Sequence, residues 1–233
     1  MLHRLFAVML FGCKGTKIYL YFSAFQLSIS DIRIKFVNFA LIIEVYDLIK
    51  RKRKMVNYNV NHKTIELINS LKDKEKIKIL FVCLGNICRS PAAQGVMQSL
   101  VDERGLSHKF ALDSCGFYGG HAGDLPDKRM RVHAVRRGYE LTHRSRTIRP
   151  WDFDEADIIV AMDGHNYDDL MEAAPSPEAQ KKIVMMTDFC RLHPGHDTVP
   201  DPYYEGAEGF ELVLDLLEDA CAGLLDAVCE GEV

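Results

Sequence analysis

From residue 77 onward, apolar and polar positions alternate in two rhythms. Ile77 to Val82 is a short, mostly apolar run, the mark of a parallel strand covered on both faces. Ser90-Pro91 opens a helix with proline in its first turn, and the helix runs to about Glu103, with Gly105 suited to its C-terminus. The pattern then predicts a strand over Lys109 to Asp113, a helix over Pro126 to Arg137 ending at Gly138, and a strand over Asp157 to Met162. A helix over Asn166 to Ala173 stops before Pro175, and Lys182 to Met186 reads as a further strand. Glu208 to Val228 is a long amphipathic helix carrying Phe210, Val213, Leu214, Leu217, Cys221, Leu224, Leu225 and Val228 on one stripe. A polar helix over Lys63 to Lys74 leads into the first strand. Strands alternating with helices predict an α/β protein, a three-layer α/β/α arrangement with a four-stranded parallel sheet.

Charge divides the chain. Residues 1–54 hold ten Lys/Arg against three acids, a net +7, whereas the remainder holds 19 basic and 30 acidic residues, a net −11. Three segments follow: a basic and apolar appendage over 1–54, a polar lead-in helix or linker over 55–76, and a catalytic domain over 77–233. Leu5 to Phe11 followed by Gly12-Cys13 has the outline of a lipoprotein signal, but the apolar run is short and Phe11 is bulky for a cleavage site. Phe36 to Ile49 is interrupted by Glu44 and Asp47, so no window in 1–54 suits a membrane span, and membrane contact is not expected there. Met55 is an alternative start. An acidic catalytic part gives no reason to expect a nucleic-acid partner. The seven cysteines are odd in number and form no CxxC pair, which fits free thiols in a reducing, cytoplasmic setting better than a disulfide framework or a zinc site.

The chemistry concentrates in Cys83-Leu84-Gly85-Asn86-Ile87-Cys88-Arg89-Ser90-Pro91, between the first strand and the helix that follows. A thiol and a guanidinium six positions apart across a loop suit phosphate-ester chemistry. The sulfur attacks phosphorus, the intervening amides surround the phosphate oxygens, and the planar fork of arginine clamps two of them. The helix start adds free N–H groups and partial positive charge, which favour both a bound dianion and a charged nucleophile. Gly85 permits close backbone approach, Asn86 tolerates a left-handed backbone, and Ser90 can cap the helix or donate to the sulfur. The leaving oxygen needs a proton donor, and Asp201, stiffened between Pro200 and Pro202 ahead of the last helix, is the candidate.

Residues 77–233 resemble the low-molecular-weight protein tyrosine phosphatases. The resemblance rests on Val82 to Pro91, on Asp113-Ser114 with Gly116, on Ala161-Met162-Asp163, and on Asp201-Pro202-Tyr203-Tyr204. It implies the flavodoxin-like (Rossmann-like) topology of that family and hydrolysis of phosphotyrosine through a phosphocysteine. Cys83 would be the nucleophile, Arg89 the phosphate clamp and Asp201 the general acid, then base. Leu84, Gly85, Asn86, Ile87, Cys88 and Ser90 would surround the phosphate, with Phe117, Tyr118, Tyr203 and Tyr204 around the substrate ring. Ser114 and His143 would stabilise the loop, and Asp163 would support the arginine. The resemblance implies no metal or organic cofactor. It makes Cys88 a partner for a reversible disulfide with Cys83, against the plainer reading of a small buried residue. The implied partner is a phosphotyrosine-containing protein; bacterial members of the family commonly oppose tyrosine autokinases. One departure stands out. Many members carry Trp or Tyr where this chain has Gly120, just before His121, so Phe117 or Tyr118 would have to supply the aromatic wall. Cys115 stands where alanine is usual. Ile87 favours phosphotyrosine, since related arginine phosphatases tend to have threonine there. Two rivals remain at this stage: an arsenate reductase of the same fold, for which Cys221 and Cys229 would be the shuttle pair, and a non-catalytic phosphotyrosine-binding module.

Overall fold

A computed structural model describes residues 62–230. The expectations for 1–54, including Cys13 and the alternative start at Met55, and for the first part of the lead-in, lie outside the described residues. The elements in chain order are α1 (His62–Ser70), β1 (Ile77–Cys83), α2 (Arg89–Glu103), β2 (Phe110–Gly116), α3 (Lys128–Arg136), α4 (Pro150–Glu155), β3 (Ile158–Ala161), α5 (Gly164–Ala173), α6 (Pro177–Lys181), β4 (Ile183–Met185) and α7 (Ala207–Glu230). Single 3₁₀ turns occupy Gly119–His121 and Met186–Phe189.

All strand pairings are parallel, in the order β2-β1-β3-β4. β1 is therefore central, and its carboxyl end opens where the strand order reverses, the usual place for a ligand in an open α/β sheet. Strand periodicity sends alternate residues to opposite faces. Ile77, Ile79, Phe81 and Cys83 join the larger core with α1, α2, α3 and α7. Leu80 and Val82 join Ile159, Ala161 and Ile183 in the smaller core, closed by Phe153, Leu170 and Ala179 from α4, α5 and α6. This is the three-layer arrangement expected.

Helix α7 buries its whole predicted stripe. It lies so close to the 3₁₀ turn after β4 that a Cβ at Gly223 would come within 2.1 Å of the Phe189 carbonyl oxygen. Gly105 and Gly138 end α2 and α3 with φ of +68° and +90°, the left-handed exit that glycine takes without strain. The lead-in helix, expected over Lys63 to Lys74, covers only His62–Ser70. The predicted strand over Lys109 to Asp113 extends to Gly116, and α4 and α6 are added as one-turn helices begun by Pro150 and Pro177. Among the described residues no helix is long and apolar enough to cross a membrane.

Candidate active site

The loop from Cys83 to Arg89 is shaped from outside. The carbonyl of Leu84 accepts from the Tyr118 amide at 2.8 Å, that of Gly85 from the Ser145 hydroxyl at 3.1 Å, and that of Ile87 from the Asp127 amide at 2.7 Å. In a trans peptide the next N–H points opposite to its carbonyl, and no cis bond occurs here. The amides of Gly85, Asn86 and Cys88 therefore turn inward, and that of Asn86 reaches the Cys83 Sγ at 3.3 Å. Inward amides at the start of α2 form an anion-binding concavity. Strand β2 braces the loop through Gly116, where a Cβ would fall 2.5 Å from the Leu84 oxygen and 2.9 Å from the Asn86 nitrogen, so only glycine fits.

Asn86 is the keystone. It is fully buried and sits at φ +53°, a conformation asparagine accepts more readily than most residues. Its Nδ2 donates to the hydroxyls of Ser90 (2.9 Å) and Ser114 (3.0 Å), and its Oδ1 accepts from the Arg146 amide (2.9 Å) and His143 Nε2 (3.0 Å). Every hydrogen-bonding position of the amide is thus used. Because Oδ1 can only accept, His143 carries its proton on Nε2. Burial holds His143 below its ordinary pKa; Asp113 pulls the other way, Arg146 adds to the lowering, and a backbone bond at Ser114 opposes it slightly. The Ser114 hydroxyl donates to Gln94 Oε1 at 2.8 Å. Ser90 does not cap α2, whose N-cap is Cys88; its hydroxyl lies 3.0 Å from the Cys83 Sγ and 3.2 Å from the Cys115 carbonyl. Charge on the sulfur is therefore met by one amide, and by the Ser90 hydroxyl when its single proton turns from the Cys115 carbonyl to the sulfur.

Arg89 is 2% exposed. Its Nη1 pairs with Asp163, whose other oxygen caps α5 by accepting the Asn166 amide at 2.7 Å. Nη2 pairs with Asp201 Oδ2 at 2.7 Å. Nε is buried and makes no hydrogen bond to protein. Burial alone would lower the Arg89 pKa, but Cys83, Asp201 and Asp163 together more than offset it and raise it, so the guanidinium stays charged. A buried, charged donor with an unused N–H beside inward-facing amides fits a phosphate oxygen.

The cleft above Cys83 has a volume of about 370 Å³ and is lined by Leu84, Gly85, Ile87, Cys88, Arg89 and Asp201, with Tyr118, His121, Tyr203 and Tyr204 at its mouth. Phe117 is not there; it packs against the smaller core. Tyr118 is the aromatic residue on this wall. Its ring lies over Gly120, where a Cβ would come within 2.4 Å of three of its atoms, and edge-on to His121 at 5.5 Å between centroids. The missing side chain at 120 is thus the space that Tyr118 fills. Cys88 shares the cleft, and burial pushes its thiol well above the usual range. Ser114, His143 and Asp163 lie behind the loop and not in the cleft.

Sequence reasoning passed over Gln94, His121, Arg129 and Arg146. Arg146 donates from Nη2 to Asp113 (2.7 Å) and from both Nη atoms to Asp152 (2.8 and 3.0 Å), so the backbone that holds Asn86 is itself anchored to β2 and α4. In sequence these are solvated polar side chains; only the fold shows that Arg146 and His121 meet the loop directly, that Gln94 reaches it through Ser114, and that Arg129 reaches it through Asp127.

Known proteins place this geometry in a family. The family model for low molecular weight phosphotyrosine protein phosphatase matches residues 78–232. A Synechocystis sp. protein assigned to the low molecular weight protein-tyrosine-phosphatases is 47% identical over 65% of this chain and 96% of its own. A low molecular weight protein-tyrosine-phosphatase of Streptomyces coelicolor is 38% identical over 66% and 94%. The crystal structure of a protein tyrosine phosphatase from Entamoeba histolytica superposes with a TM-score of 0.65 at 44% identity, covering 68% of this chain and all of that one. The chain described here belongs to the low molecular weight protein tyrosine phosphatases.

Proposed function

We propose that the protein hydrolyses phosphotyrosine in two steps at Cys83, in the cytoplasm. The observation that carries this reading is the convergence on one cleft of the Cys83 sulfur, the inward amides, the unused Nε of Arg89 and the Asp201 carboxyl. The sulfur attacks phosphorus and the S–P bond forms as the P–O bond to the aryl group breaks. Asp201, protonated for this step, gives its proton to the departing phenolate oxygen. The resulting carboxylate then takes a proton from water as that water displaces Cys83 from phosphorus, releasing phosphate. Arg89 and the loop amides hold the equatorial oxygens in both steps. Asp163 keeps the guanidinium in plane, and the Ser90 hydroxyl receives the sulfur as it leaves.

The substrate class is a phosphotyrosine-containing protein, a bacterial tyrosine autokinase being the partner suggested by the habits of the family. Burial of Cys83, Cys88, Cys115, Cys190 and Cys221 as thiols supports a reducing compartment. The shared cleft also supports a protective reaction in which a Cys83 sulfenic acid condenses with the Cys88 thiol, giving a disulfide and water. Cys221 disfavours the arsenate-reductase reading, being fully buried in α7 with its Sγ donating to the Ala93 carbonyl.

The test is hydrolysis of a phosphotyrosine peptide without added metal, with arsenate reduction measured in parallel. Phosphate release by the wild type, lost by about 10⁴-fold or more in Cys83→Ser, is the expected result. Tight peptide binding without release would favour a binding module, and arsenate turnover alone would favour the reductase.

A further inference from the structure

Catalysis here joins two segments that are remote in sequence. Cys83 ends β1, whereas Asp201 lies on an irregular stretch between the 3₁₀ turn after β4 and helix α7. Pro200 and Pro202 stiffen that stretch but do not determine where it sits. One end is tied by the Val199 amide to the Met162 carbonyl at 2.8 Å. Arg89 holds Asp201 itself, but in the mechanism above the same guanidinium must serve the phosphate. Another tether is therefore needed on the side facing the phosphate loop.

Arg129 occupies that position. Asp127 is the N-cap of α3, and its amide donates to Ile87 within the phosphate loop. The Asp127 carboxylate takes Nε of Arg129 at 3.1 Å and Nη2 at 2.8 Å, a two-point pair that fixes the plane of the guanidinium. The remaining nitrogen, Nη1, donates to the Tyr203 carbonyl at 3.0 Å. The guanidinium also lies over the Tyr203 ring at 5.4 Å and the Phe210 ring at 4.9 Å. Tyr203 in turn donates its amide to Asp201 Oδ1 at 3.1 Å. A continuous chain of contacts thus runs from the phosphate loop through Asp127, Arg129 and Tyr203 to the carboxyl. Arg129 itself is outside the cleft lining and touches no reacting atom.

We propose that Arg129 is a positioning residue that sets the reach of Asp201 toward the leaving oxygen above Cys83. The inference rests on Asp201 being the proton donor. All three guanidinium nitrogens have a fixed partner, so a lysine, with one rotatable point charge, does not replace it. An exposed ion pair kept only for stability would leave the chemistry unchanged.

The experiment compares kcat/KM for phenyl phosphate, whose leaving group needs a proton, with that for 2,4-dinitrophenyl phosphate, whose leaving group does not. Rates are taken per active site counted by burst. Arg129→Met should slow phenyl phosphate about tenfold, since displacement of a catalytic group by a fraction of an ångström is costly, and leave the dinitrophenyl ester within about twofold. Arg129→Lys should behave like Arg129→Met. In an Asp201→Ala background Arg129→Met should have no further effect on phenyl phosphate. Equal losses on both esters, no loss on either, full recovery by lysine, or a loss that multiplies with that of Asp201→Ala would each overturn the proposal. An Asp201→Ala variant with an unchanged rate on phenyl phosphate would sink the donor assignment itself, and this inference with it.

Discussion

The floor of the cleft and its mouth are built on opposite terms. On the floor, Asn86 is sealed from solvent and uses all four of its side-chain hydrogen-bonding positions, and the loop carbonyls are claimed by Tyr118, Ser145 and Asp127. At the mouth, Tyr204 is 94% exposed, and Leu84 and Tyr118 are also largely open to solvent. The floor gains precision because a buried polar group that loses its partner pays the full desolvation penalty, so alternative loop shapes are disfavoured. The exposed side chains of Leu84, Tyr118 and Tyr204 have no such penalty to enforce one arrangement, whereas Tyr203 beside them is held by Arg129.

That contrast can be broken or sharpened by substitution. Asp201→Ala should cut kcat/KM on phenyl phosphate by about 10²–10⁴-fold, the usual range for a lost general acid; an unchanged rate would show that the floor draws its proton from elsewhere. Asn86→Ala should reduce kcat/KM about 10- to 100-fold and lower unfolding stability by about 1–3 kcal/mol, through partners left unsatisfied behind the loop. Chemical denaturation beside steady-state kinetics would check it, and a variant with normal stability and rate would mean the network is dispensable. Tyr118→Ala tests the mouth. It should raise KM for aryl phosphates roughly three- to tenfold with little change in kcat or in melting temperature, consistent with loss of one aromatic contact. A fall in kcat without a change in KM would tie the wall to the chemistry after all.

The smallest effect concerns pH and the floor. Burial holds His143 below its ordinary value of 6.5, so the folded protein keeps it neutral while the unfolded chain takes up a proton. The contribution is present above the ordinary value and is lost as pH falls below it. His143→Gln, which can still donate to Asn86, should therefore lose less stability between pH 7.5 and 5.5 than the wild type, read as a shallower fall of Tm with pH. Parallel pH profiles of Tm would refute the point.

The sequence made the strands of the sheet legible because burial on both faces leaves little but apolar side chains, as in Ile77 to Val82 and Asp157 to Met162. The pattern shortens β2 because Asp113, Ser114 and Gly116 look like a turn, whereas Ser114 is polar in order to meet Asn86 and Gly116 is bare so that the loop can approach. Helices α4 and α6 have too few residues to display a period. Cys83, Arg89 and Asp201 were legible since their spacing and proline neighbours announce a reaction. Arg129 and Arg146 were not, because a long cation has the same appearance in sequence whether it meets water or anchors a loop. The choice between Phe117 and Tyr118 turned on which side of the chain faces the cleft after β2, and the bare α-carbon at Gly120 settles it for Tyr118.

The bracing of the phosphate loop by Gly116, Asn86 and the outward carbonyls has a metabolic consequence. A cradle whose shape is set by its own protein scaffold receives a tetrahedral dianion whether or not an aryl group is still attached. On the proposed mechanism, orthophosphate released in the last step would compete with each new substrate for the site that produced it. Throughput would then depend on ambient phosphate as well as on phosphoprotein, and the anion that slows turnover would, by binding the folded state alone, also shield it from unfolding.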